Sequence, residues 1–164
     1  VIEPLNGFRK LEVKPDNLGS YNVPLGQIEI LHPGHDLTLV TYGSCCPVAV
    51  TAAEMLAKDF AISVEVIDLQ TLLPFDRGED IVKSLSKTGA LLILDEDVPG
   101  GANAYILREI QEQQNAMKHF KVPPRTLTAA ENRCAFSTDG DYYCKPQVED
   151  VLTACCDMVA AKNP

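Results

Sequence analysis

Short apolar runs recur along this chain at a fixed interval. Leu37-Thr38-Leu39-Val40-Thr41-Tyr42 is followed 27 positions on by Val64-Glu65-Val66-Ile67, and another 27 positions bring Leu91-Leu92-Ile93-Leu94. Segments of helical character fill both gaps. Strand, helix, strand at that spacing describes βαβ units, and runs that stay apolar without alternation predict parallel strands covered on both faces. Ahead of the first run, Gly26 and Ile28-Glu29-Ile30-Leu31 predict a short edge strand, antiparallel to the rest. It turns through His32-Pro33-Gly34 into the first buried strand. The fold class is therefore α/β: a three-layer α/β/α domain with a mainly parallel sheet and one antiparallel edge strand.

The helices follow from the same reading. Pro47 suits a first helical turn, so a helix is predicted from about Pro47 to Phe60, with Val48, Ala52, Met55 and Leu56 as its apolar stripe. Asp76 and Glu79, three apart, form a capping-box pattern that opens a helix running to Lys87, and Gly89 ends it. A long helix is predicted from Ala102 to about Met117 and a last strand from Arg125 to Ala129. Residues 131–146 read as a polar loop. The final helix keeps Val148, Val151, Leu152, Cys155 and Val159 on one face.

Residues 1–25 break this order. Pro4, Pro15 and Pro24 interrupt any period, with Ile2, Leu5, Phe8, Leu11 and Val13 between them, which predicts an extended arm apolar enough to pack on something. The domain proper is residues 26–164. The chain starts at Val1 without a basic stretch or an apolar leader, so no signal peptide is expected. No run reaches the roughly 18–20 apolar residues of a membrane span, so no membrane partner is expected.

Charge narrows the partners further. Lys and Arg number 14 against 23 Asp and Glu, a net charge of −9, which does not suit nucleic acid. It favours basic partners. The six cysteines include the adjacent pairs Cys45-Cys46 and Cys155-Cys156 but no Cys-x-x-Cys, so they read as reduced, small apolar residues of a cytoplasmic protein. Cys46 is the exception, because a helix N-terminus lowers a thiol pKa.

Candidate chemistry is sparse. Gly43-Ser44 and Gly100-Gly101 precede helices, as phosphate-cradling turns do, but neither matches a dinucleotide or P-loop fingerprint. Asp95-Glu96-Asp97 at a strand's carboxyl end is placed to hold a cation, yet the partners of a phosphoacceptor site are missing. The carboxylates are expected to face solvent, a partner, or the free N–H groups of Ala102 and Asn103. His32, His35 and His119 have no nucleophile or acid at motif spacing. The stretch from Glu131 to Tyr143 is long and rich in Arg and aromatic residues, as a contact loop would be.

Several of these segments resemble the C-terminal transketolase-like domain of 2-oxo acid dehydrogenase E1 beta subunits. They are Pro24-Leu25-Gly26, Asp36 to Ser44, Val64 to Asp76, the acid-to-glycine turn Asp95 to Gly101, and Lys145 to Val151. The most specific block is Val66-Ile67-Asp68-Leu69-Gln70-Thr71-Leu72-Leu73-Pro74-Phe75-Asp76. Asp95 to Ala102 and Asp139-Gly140-Asp141-Tyr142 are similar to branched-chain-type enzymes in which alpha and beta regions are fused. The resemblance implies an enzyme that decarboxylates a 2-oxo acid with thiamine diphosphate and Mg²⁺ and passes the acyl group to a lipoyl carrier. It also implies that cofactor and metal are held by preceding domains, so no catalytic, cofactor or metal residue is expected in this chain and the fragment alone should be inactive. Residues 1–25 would be the linker from the preceding domain.

The implied partners are the E1 alpha region or subunit, a second beta copy, and the small basic binding domain of the dihydrolipoyl acyltransferase. Candidate interface residues are Gly43, Ser44, Asp97, Gly100, Arg133 and Tyr142 at the strand ends and their loops, and Glu149, Asp150 and Asp157 on the final helix. Two other readings remain at this stage: a stand-alone effector-binding module, and the C-terminal domain of another transketolase-type thiamine enzyme such as a deoxyxylulose phosphate synthase.

Overall fold

The computed structural model describes residues 7, 11, 13–133 and 136–162. The expectations placed on Ile2, Pro4, Leu5 and Phe8 of the arm, and on Cys134, lie outside these residues. The elements, in chain order, are β1 (Glu29–His32), β2 (Leu37–Thr41), α1 (Cys45–Asp59), β3 (Val64–Asp68), α2 (Asp80–Thr88), β4 (Leu91–Leu94), α3 (Ala102–Arg108), β5 (Arg125–Leu127), α4 (Ser137–Cys144) and α5 (Val148–Lys162). One sheet of five strands has the order β1-β3-β2-β4-β5. β1 pairs antiparallel with β3, and β2, β3, β4 and β5 are mutually parallel.

Alternation along the strands sorts two cores, one on each face. Leu37, Leu39, Val64, Val66, Leu92 and Leu94 pack against Ala49, Ala52, Ala53 and Leu56 of α1 and Val151, Ala154, Cys155 and Met158 of α5. Val40, Ile67, Leu91 and Ile93 face Ile81 and Leu85 of α2 and Ile106 of α3. Both faces are dry, which explains why the strands read as continuous apolar runs. Among the described residues no helix is long and apolar enough to cross a membrane.

The face under α2 also holds a polar stack. Thr38 Oγ1 lies 2.6 Å from Ser84 Oγ and 2.7 Å from Thr88 Oγ1. Beside it, the nearly buried Glu65 carboxylate accepts from Lys87 Nζ at 2.6 Å and from the Gly34 N–H at 3.3 Å. Burial by itself would raise the Glu65 pKa, but hydrogen bonds from Lys87, Ser84 and the Gly34 N–H outweigh it and hold the carboxyl below its ordinary value. A depressed folded-state pKa contributes stability that is present above the unfolded-state pKa and lost as pH falls through the folded one. In acid titrations of unfolding, Glu65→Gln should therefore remove part of the stability loss below the ordinary carboxylate range. An unchanged acid limb would refute that role.

Five expectations need correction. The stretch 131–146 is not all loop: Ser137–Cys144 forms α4, with the acidic Asp139 in its first turn, where a carboxylate favours the helix dipole. The long helix ends early. α3 widens into a π-helical turn at Glu109–Gln113, the chain turns left-handed at Asn115 (φ 59°), and a 3-10 turn follows at Ala116–His119. α2 starts at Asp80 rather than at Asp76, with Glu79 left-handed at φ 52°. Asp76 still acts as its cap, accepting from Asp80 N and Ile81 N at 3.1 and 2.9 Å. α1 begins at Cys45 rather than Pro47, which brings Cys45 and Ala49 into its stripe and leaves Met55 exposed. The last strand stops at Leu127 rather than reaching Ala129.

Candidate functional site

The sheet order creates one topological switch point. The chain leaves β2 through α1 toward β3, then recrosses through α2 to β4 on the other side of β2. The loops after β2 and β4 therefore diverge over opposite faces, and in open α/β sheets this is where ligands and partners sit.

Here the crevice is filled by the protein's own side chains. Asp95, fully buried at the end of β4, accepts from Tyr42 Oη (2.9 Å), Asp97 N (3.1 Å), Asn103 N (3.0 Å) and Asn103 Nδ2 (3.1 Å). Asn103 Nδ2 also donates to Val98 O at 3.1 Å, and its Oδ1 accepts from Gly100 N at 3.3 Å. Thr41 Oγ1 donates to Leu94 O at 2.9 Å. Burial, and then the Asp95 carboxylate, drive the Tyr42 phenol well above its ordinary pKa, so it stays a protonated donor. The expectation that the acidic turn would serve free N–H groups near Asn103 holds for Asp95. Glu96 instead pairs with Lys145 at 3.2 Å.

The same surroundings correct the reading of Cys46. Despite its place at the start of α1, its thiol is pushed up to about 12, first by burial and then by the Asp68 carboxylate beside it. Cys45 is likewise raised to about 12 by burial and by Glu96 and Asp95. Neither is an activated nucleophile.

The residues singled out from the sequence fall on two surfaces. Gly43, Ser44, Asp97 and Gly100 lie together at the carboxyl edge around the switch point. Gly43 and Gly100 are exposed, and the Ser44 hydroxyl is enclosed without a partner among the described residues. Asp97 is exposed, with one carboxylate oxygen accepting from Val98 N at 2.8 Å. Glu149, Asp150 and Asp157 lie on α5. Asp150 accepts from Gln147 N at 2.8 Å and caps the helix, while Asp157 pairs with Arg125 at 3.5 Å. Tyr142 of α4 belongs with this second group, because Glu149 raises its pKa by direct proximity. Arg133 is exposed between α4 and β5.

Two features were missed. A groove of about 420 Å³ runs between Phe60 and α5, floored by Leu152 and Cys156 and rimmed by Glu149 and Asp157. Its signal was weak: one aromatic just past the end of α1; Leu152, which reads as part of the inward face of the final helix; and Cys156 beside it. The second is the exposure of Leu73 and Val98, in the segments that follow the carboxyl ends of β3 and β4.

The site does not suit thiamine diphosphate or its metal. Asp68, Asp95, Glu96 and Asp97 would repel a diphosphate, the oxygens of Asp95 are engaged, and the described residues contain no cluster of metal-ligand type.

Most of the chain, including the whole sheet, matches a known family. The family described as transketolase, C-terminal domain, covers residues 26–141, and the chain belongs to it. Its relatives include E1 beta subunits of 2-oxo acid dehydrogenases. The beta subunit of 2-oxoisovalerate dehydrogenase from Bacillus subtilis is 42% identical over 93 residues, 57% of this chain and 27% of that protein. A mitochondrial pyruvate dehydrogenase E1 component subunit beta-1 from Oryza sativa is 31% identical over 136 residues, 82% of this chain and 35% of that protein. The chain thus spans only about a quarter to a third of these relatives. Among solved structures, a split-gene transketolase in an inactive beta4 tetramer superposes with a TM-score of 0.66 at 22% identity, covering 91% of this chain and 48% of that one. A Pichia stipitis transketolase gives 0.55 at 18% identity, covering 82% and 18%. These two show the fold.

Proposed function

We propose that this chain is the C-terminal assembly domain of a thiamine-diphosphate-dependent 2-oxo acid dehydrogenase E1 component. In this reading it supports dimerisation with a second beta copy, contacts the alpha region, and docks the binding domain of the acyltransferase. The observation that carries the proposal is the match to E1 beta subunits, joined to a domain whose ligand-type crevice is closed by its own side chains. A domain of that kind contributes surfaces rather than chemistry. The carboxyl edge, with Gly43, Ser44, Asp97, Gly100 and the exposed apolar side chains around it, suits a neighbouring domain or subunit. The acidic rim of the α5 groove, Glu149 and Asp157, suits a basic partner. Tyr142 joins the α5 side through its proximity to Glu149, and Arg133 is an exposed cation near it in the chain. Some relatives are mitochondrial by name, so cytoplasmic placement is part of the proposal and not a family trait.

The proposal also holds that cofactor and metal bind elsewhere in the longer polypeptide. Calorimetric titration of thiamine diphosphate with Mg²⁺ into this chain should give no saturable heat, and the purified chain should not decarboxylate 2-oxo acids. Micromolar saturable binding, or turnover, would contradict it. In the longer polypeptide, Arg133→Ala or Tyr142→Ala should reduce assembly or activity while the domain stays folded. Unchanged oligomer mass together with unchanged activity would remove both residues from the interface.

A further inference from the structure

The helix that begins at Ala102, α3 continued by its π-helical turn, holds a different loop of the carboxyl edge at each end. At its start, Asn103 N and Nδ2 donate to Asp95 Oδ2, Nδ2 also donates to Val98 O, and Asn103 Oδ1 accepts from Gly100 N, so the loop after β4 is wrapped around one side chain. Two residues on, Tyr105 Oη donates to Leu72 O at 3.3 Å, and its ring meets Phe75 edge-on at 6.1 Å. Both partners belong to the loop after β3. At the far end, Gln114 Nε2 donates to Asp76 O and to Asp76 Oδ2, each at 3.1 Å. Ile106 and Ile110, fully buried, seat the helix between these contacts.

The last of these contacts depends on the π-helical turn. Gln114 N donates to Glu109 O, five residues back, at 2.9 Å. An α turn would bond Gln113 to that carbonyl, so the turn carries one residue more than α geometry needs. The extra residue brings Gln114 to Asp76 and leaves Gln113 exposed. Asp76 is buried and caps α2 with the same carboxylate, accepting from Asp80 N and Ile81 N. Turning the amide over would set its oxygen against two oxygens of Asp76, so its orientation is fixed, and Oε1 is left enclosed without a partner among the described residues. Non-glycine residues are left-handed at both ends of the loop after β3, Gln70 (φ 54°) and Glu79 (φ 52°), and just after Gln114, at Asn115 (φ 59°). Unfavourable backbone and an unpaired buried acceptor persist where the surroundings over-determine them, as at clamps and switch regions.

We infer that α3 with its π-helical turn is a clamp that makes the loops after β3 and β4 one mechanical unit. Loosening Asp76 at one end loosens the stretch from Asp95 to Gly101 at the other, because the rod between them is a single packed helix. The unit carries Leu73, Asp97, Val98 and Gly100, so it presents the carboxyl edge in one fixed shape. Only the use of that edge as a contact face rests on the proposed function. The clamp itself needs no partner and is tested on this chain alone.

Gln114→Leu removes the clamp's donor and its unpaired acceptor together, so the fold should survive. In hydrogen exchange, the amides of Glu79 and Asp80 beside Asp76, and of Gly100 and Gly101 around Asn103, should all exchange at least about fivefold faster, with Leu39 and Val66 in the central strands unchanged. Faster exchange at Glu79 and Asp80 alone would overturn the inference, since Gln114 would then support only a local cap. No change at all would overturn it too. Equal acceleration at Leu39 and Val66 would mean that the whole domain is loosened, and Tyr105→Phe, which removes only the bond to Leu72 O, then decides by the same amides. Assembly of the longer polypeptide is measured with the same variant. Both loops loosened with assembly unchanged would strike the proposed contact edge and leave the clamp standing, whereas weakened assembly with the loops unchanged would do the reverse.

Discussion

Replacing Asp95 with alanine should lower the stability of the domain by about 2–4 kcal/mol, because several donors around a buried carboxylate lose their acceptor at once. Asn103 N and Nδ2, Asp97 N and the Tyr42 hydroxyl all converge on it. The Tyr42 and Asp97 donors can turn toward water, so the cost comes mainly from Asn103, which is buried. Asp95→Asn keeps the shape and one good acceptor and should cost about half as much, and Tyr42→Phe, losing a single bond, about 1 kcal/mol. Urea unfolding of the three variants checks the order. An Asp95→Ala variant within 1 kcal/mol of the parent would mean that the cluster does not tie the loops after β2 and β4 together. The consequence reaches function, since those loops carry Gly43, Ser44, Asp97 and Gly100 and so shape the proposed contact edge.

Gly34→Ala is the second large effect. A Cβ at Gly34 would lie 2.2 Å from the backbone of Val64 and Glu65 and 2.6 Å from Val64 O. No side chain can swing aside to make room, because the neighbour is the start of β3. That strand is held on its far side by the β2–β3 register Leu37↔Val64 and Thr38↔Glu65. Relief would have to come from the β1–β2 turn, breaking the Gly34 N–Glu65 contact and the bonds from His35 N and Asp36 N to Ser63 O. The expected loss is roughly 3 kcal/mol, the top of the usual range for overpacking. Thermal unfolding of Gly34→Ala checks it, and a midpoint equal to the parent's would show that the turn is looser than the close approach requires.

Much of the fold could be read from the chain because the parallel strands are covered on both faces. Leu37, Val64 and Leu91 open runs that have no solvent side to pattern, and their spacing leaves room for one helix each. The antiparallel edge strand was legible because Ile28–Leu31 is too close to β2 for a crossover. Where the reading failed, a local signal lost to a tertiary one. Cys46 has the sequence position of an activated thiol, yet burial and Asp68 decide its pKa. The helix after Ala102 keeps apolar periodicity, but at its π-helical end Gln114 Nε2 donates to Asp76 O and Oδ2, and the chain then turns at Asn115. That contact, across 38 residues, is invisible to a pattern. The candidate site was legible only as a place. Nothing in Tyr42, Asp95 and Asn103 announces that they meet, and the groove beside Phe60 needs the packing of α1 on α5 to exist at all.

The central claim is that this domain supplies a docking face for a basic partner. The direct measurement is the association rate of the longer polypeptide with the acyltransferase binding domain proposed as its partner, taken across a salt series. It is repeated with Glu149→Lys and Asp157→Lys combined and Asp150→Asn added, the last chosen to keep an oxygen for the α5 cap. Association of the parent should slow as salt rises and the screening length falls to about 8–10 Å and below. The combined variant should associate at least about tenfold more slowly at low salt, with a flattened salt dependence and a smaller change in dissociation. Association that ignores salt, or a variant that associates at the parent's rate, would contradict the account.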